Sequence, residues 1–110
     1  MSVTLITHPA CLEHDTGTFH PECPDRLRTV LRALEDEAFL SLIREEAPQA
    51  TVEELTRVHP ADYVKAILDI RPDPGQHLAL DADTVMSAGS AEAALRAATT
   101  ASSVSRSCFR

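Results

Sequence analysis

The chain has 110 residues, 44% of them hydrophobic but only 4% aromatic and none of them Trp, enough for one domain whose core must rest on Leu, Ile, Val and Ala. Its 17 acids against 10 bases give a net charge of −7, and no Lys/Arg run interleaved with aromatics is present to neutralise phosphates, which argues against nucleic-acid binding. An odd set of Cys residues (Cys11, Cys23, Cys108), an opening without a basic leader, and no apolar run near the roughly 20 residues of a membrane span argue against a disulfide framework, export and membrane insertion, leaving a cytoplasmic protein as the expectation.

Val3, Leu5 and Ile6, interleaved with Thr4 and stopped by His8-Pro9, predict a short buried strand. From Pro24 onward Leu27, Val30, Leu31, Leu34 and Ala38 recur at helical spacing, with Arg28, Arg32, Glu35 and Asp36 on the opposite face, so a helix is expected there. Pro24 and Asp25 suit its first turn, where a missing N–H costs nothing and a carboxylate meets the positive helix end. Thr51-Val52-Glu53-Glu54 matches a capping box before a short helix to about Val58. Another helix is expected from Pro60, carrying Tyr63, Val64, Ile67 and Leu68, and Arg71-Pro72-Asp73-Pro74-Gly75 must be a loop. Ser87 and Ser90 can cap a last helix from Ala91 to about Thr100, in which Glu92 and Arg96 form an i,i+4 pair. The Ser-rich stretch over 99–110 loses the periodicity, and no internal repeat is present.

The densest chemistry lies in Glu13 to Leu27. His8, Cys11, His14, His20 and Cys23 offer five nitrogen or sulfur donors within 16 residues, and tetrahedral zinc needs four. The spacing matches no closed zinc finger, and Pro9 and Pro21 restrict the backbone beside two of the donors. The competing reading packs His8 and Cys11 near the strand end and has His14 and His20 hydrogen-bond within the loop. Glu22 followed by Arg26 places a cation one helical turn beyond an acid, a pair suited to fixing loop to helix. Asp81 and Asp83 would share one side of an extended segment, positioned to grip a cation or amide N–H groups, or simply to precede a helix. Acids beside Cys23 disfavour a thiolate. Neither a GxSxG elbow nor a phosphate-binding GxxxxGK[ST] run is present. His59 reads as a packing or capping residue, and His77 carries no pattern.

In order along the chain, HPACLEHDTGTFHPECPDRLRTVLRAL, EELTRVHPADYVKAIL and LDADTVMSAGSAEAALRAA resemble the opening third of the histone deacetylase superfamily. The resemblance is strongest to its class II-like bacterial branch, which includes acetoin-utilisation and acetylpolyamine amidohydrolase proteins. It implies an α/β fold: the N-terminal part of an arginase-like three-layer domain with an incomplete sheet, over residues 1–98, followed by a divergent tail over 99–110. Family members hydrolyse acetyl-lysine or acetylated amines with a catalytic zinc held at the carboxyl ends of parallel strands. The resemblance further implies that His14, His20 and Glu22 belong to the first loop beside the substrate channel. Arg26 would line the internal cavity through which acetate leaves, and Asp81, with Asp83 beside it, would hold the substrate at the channel rim.

The family chemistry uses a His-His pair and an Asp-x-His motif with a second Asp, none of which occurs in these 110 residues. Tyr63 falls in the wrong part of the pattern to stabilise an oxyanion. The chain taken alone is therefore expected to be an inactive segment that binds no zinc, a truncated or frame-shifted product with unburied apolar helix faces that favour self-association or a partner. The alternative is a small non-catalytic module, either stabilised by zinc through the five donors or serving protein interaction.

Overall fold

The β-prone run at the start of the chain forms β1, Thr4–Thr7, which pairs in parallel with β2, Ile43–Glu46, in the register Leu5 to Arg44 and Thr7 to Glu46. The computed structural model describes residues 2–98, so the tail over 99–110 lies outside the described residues. Between the two strands come a 3-10 turn at Pro9–Glu13, the long loop through Glu22, and α1, Pro24–Ala33. A parallel pair requires such a crossover, and here the helix returns the chain to lie beside its first strand.

Pro24 stands at the start of α1 and Asp25 in its first turn, as expected. The helix stops at Ala33, short of Ala38. Asp36 adopts an extended ψ of 147° and its carboxylate accepts the Ala38 N–H at 2.9 Å, which opens a separate 3-10 turn at Glu37–Phe39. Aspartate competes with the backbone in this way, so it starts turns better than it continues helices. The Arg44 guanidinium then donates to the Leu34 carbonyl at 2.6 Å, tying the helix end to β2.

The capping box forms around α2, Val52–Leu55: Thr51 Oγ1 accepts the Glu54 N–H at 3.1 Å while Glu54 Oε1 accepts the Thr51 N–H at 3.2 Å. Tight turns carry the chain from there to His59. Pro60 caps α3, Ala61–Leu68, and His59 stacks at a tilt on Tyr63, its ring centre 5.5 Å away. The Pro-rich loop leads to an antiparallel hairpin of β3, Leu78–Ala79, and β4, Val85–Met86, followed by α4, helical over 90–98. Arg96 of α4 donates to Glu92 at 2.9 Å and to the Ala47 carbonyl at 2.9 Å, while Gln49 donates to the other oxygen of Glu92. The expected i,i+4 pair thus also anchors α4 to the exit of β2.

The core is thin. Its buried apolar residues are Ala47, Ala50, Val64, Met86, Ala91 and Ala93, and no residue of α1 is buried. Phe19, Leu40 and Val58 are exposed outright. These elements make a partial α/β unit whose sheet, among the described residues, has two parallel strands plus the separate hairpin.

Candidate functional site

The loop from Glu13 to Glu22 is held by the turn that opens α4. Gly89 makes the approach possible, since a Cβ there would lie 2.5 Å from the Glu13 carbonyl oxygen and 2.6 Å from the Glu13 Cβ. Ser87 Oγ accepts the Asp15 N–H at 3.0 Å and lies 3.4 Å from the Glu13 carbonyl. His14 Nδ1 and Ser90 Oγ are 2.6 Å apart, and His14 Nε2 faces Glu22 Oε1 at 3.6 Å. The Ser87 N–H donates to Ser90 Oγ at 2.7 Å. One proton assignment serves every group: the Ser90 O–H donates to His14 Nδ1, leaving the ring proton on Nε2 toward Glu22. The serines therefore hold the loop, and their hydroxyls are spent there rather than on capping α4.

Other bonds fix the shape of the loop. Thr16 is buried, and its hydroxyl donates to the Glu22 carbonyl. Gly17 turns with φ +93°, a left-handed conformation that suits glycine, and its N–H donates to Asp15 Oδ1 at 3.0 Å. His77 Nε2 reaches Asp15 Oδ2 at 3.4 Å, so the loop before β3 is clasped to the His14 loop. The Gly17 N–H and then His77 hold the Asp15 carboxyl below its ordinary value.

Among the expected site residues, His14, Glu22 and Arg26 line one cleft of about 600 Å³, walled by Leu27 and Val30 of α1 and by Met86 and Ala93. Glu22 meets His14 in place of Arg26, and the Arg26 guanidinium has no carboxylate partner among the described residues. The expected Glu22–Arg26 fork is thus replaced by a Glu22–His14 contact. His20 stays local, its Nδ1 accepting the Glu22 N–H at 3.1 Å, and borders a neighbouring cleft with Asp15 and His77.

Asp81 and Asp83 sit in the β3–β4 loop and line neither cleft. The segment bends where an extended run was expected. Asp81 Oδ1 accepts the Asp83 N–H at 2.8 Å, and that bond, with the Thr84 hydroxyl, lowers the Asp81 carboxyl below its usual range. Asp81 thus organises the turn, and Asp83 is exposed. Contacts of His14 with Ser90 and of Asp15 with His77 span 76 and 62 residues of chain, beyond what local spacing can reveal.

No three His, Cys, Asp or Glu side chains among the described residues come together as metal ligands. The five donors are not drawn into one such group: His8 Nδ1 accepts the Ala10 N–H, His14 meets Ser90 and Glu22, and His20 Nδ1 accepts from its own loop. Cys11 and Cys23 are free thiols, half-buried against the cleft. No helix among the described residues is long and apolar enough to cross a membrane.

The model of the histone deacetylase domain matches residues 20–109. The chain belongs to the histone deacetylase family. The crystal structure of the HDA15 HD domain superposes with a TM-score of 0.72 at 26% identity, over 87% of this chain and 28% of that one. An uncharacterized protein of Methanocaldococcus jannaschii is 28% identical over 93 residues, 84% of this chain and 26% of its own length. The chain thus spans about a quarter of the length of each of these two proteins.

Proposed function

We propose that this chain is the N-terminal segment of a zinc-dependent deacetylase domain of arginase-like fold, whose complete form hydrolyses the amide of acetyl-lysine or another acetylated amine. The observation that carries this reading is the family match over residues 20–109 joined to one cleft that gathers His14, Glu22 and Arg26. Arg26 is the acetate-facing cation of an internal channel, and a guanidinium without a carboxylate partner suits binding a planar anion. His14 and Glu22 form the wall of that channel, and His20 its outer loop. Asp81 is the rim acceptor for substrate N–H groups, its carboxyl kept ionised by the Asp83 amide, with Asp83 beside it.

Zinc supplies the Lewis acid in this family, and the described residues do not fit it: they form no ligand cluster, and the sequence holds no Asp-x-His. The chain on this reading has no turnover of its own. Its contribution is to position acetate and substrate.

Acetate titration followed by nuclear magnetic resonance tests the assignment. Acetate is expected to shift the Arg26 Nε–H and His14 ring signals, and Arg26→Ala to abolish the effect while leaving the Asp81 region unchanged. Shifts spread evenly over the surface, or unaffected by Arg26→Ala, would remove the channel reading.

A further inference from the structure

We propose that the outer edge of β2, with the cleft beside it, is a docking surface for an extended basic peptide. The inference is independent of the deacetylase reading. Every residue of β2 is exposed. Pairing with β1 uses the Ile43 and Ala47 amides, which donate to the Val3 and Thr7 carbonyls at 3.0 and 2.8 Å. Because backbone groups alternate along a strand, those of Arg44 and Glu46 point to the open side. Neither of these two amides takes a partner among the described residues.

Beside this edge lies a cleft of about 290 Å³ with Leu5 and Leu31 as its apolar floor. Glu35, Glu45 and Glu46 line it together with Arg44. The Arg44 guanidinium is committed to the Leu34 carbonyl, whereas none of the three carboxylates has a cation among the described residues. An open strand edge supplies hydrogen bonds, an apolar floor accepts side chains, and unpaired carboxylates select positive charge: together these fit strand addition by a peptide that alternates Lys or Arg with apolar residues. A second copy of this edge is disfavoured, since pairing would set the same carboxylates against each other in a chain already at −7.

The test is fluorescence anisotropy with a labelled peptide of alternating Lys and Val, with a Glu–Val peptide as control. Saturable binding of the Lys peptide is expected, at least tenfold weaker to the Glu45→Lys/Glu46→Lys variant but unchanged for Glu53→Lys/Asp73→Lys, which makes the same charge change outside the cleft. Bound peptide should slow hydrogen exchange at the Arg44 and Glu46 amides. A Lys–Val peptide N-methylated at alternate amides should lose binding to the unaltered protein, which separates edge pairing from any folding defect in the variants. Equal weakening by both double variants, equal binding of the methylated or acidic peptide, or a dimer that protects the β2 edge in the free protein would each overturn the proposal.

Discussion

His14 and Gly89 meet at the same place for different reasons. The imidazole bonds Ser90 on one side and faces Glu22 on the other, while the bare Cα of Gly89 lets the Glu13 backbone come close enough for that bond to form. His14→Ala should cost about 1 kcal/mol, the net worth of a partly buried hydrogen bond, and should speed amide exchange across the loop to Glu22. Gly89→Ala should cost more, about 1–3 kcal/mol, because the new methyl meets backbone that cannot rotate away. Thermal unfolding of the two variants checks the order, and a harmless Gly89→Ala would show that the loop does not seat on α4 as described. The pH response follows from Asp15. Its carboxyl titrates below the ordinary 3.8 when folded, chiefly through the Gly17 N–H and then through His77. The clasp's contribution is therefore fully present above pH 3.8 and is lost as pH falls through the lower folded value. Asp15→Asn should flatten that acid limb of loop exchange.

At the scale of elements, α2 depends on a reciprocal cap. Thr51→Ala removes the hydroxyl that satisfies the Glu54 N–H and should cost about 1 kcal/mol, read as a lower melting temperature, whereas Thr51→Ser should restore it. The same capping box was legible in the sequence, as were the start of α1, α3 and β1 as a strand, because each rests on spacing or on a local cap, although β1 buries none of its residues where a buried strand was expected. β2 was not, since Ile-Arg-Glu-Glu shows no alternation: the strand is exposed on both faces and paired on one edge only. β3 and β4 have two residues each, too few to carry a period. The end of α1 was hidden because Asp36 fits the polar face of a helix as readily as it starts a turn. For the site, only the family resemblance grouped His14, Glu22 and Arg26, since spacing pointed to a Glu22–Arg26 fork that does not form, and the partners of His14 and Asp15 come from chain folded back from far along the sequence.

Considered whole, the molecule has a core of alanines with Val64 and Met86 as its only larger buried apolar side chains among the described residues. Met86→Ala should cost about 2–5 kcal/mol, enough to lower the cooperative melt sharply in a domain of ordinary marginal stability. Phe19, Leu40 and Val58 are exposed and α1 buries no residue, in a chain that spans about a quarter of the length of the two proteins it matches. The most direct measurement is acetate release from an acetyl-lysine peptide by the purified chain with zinc supplied in excess. On the proposed function, the chain releases none above the protein-free control. Zinc-dependent turnover that a chelator abolishes would contradict the account.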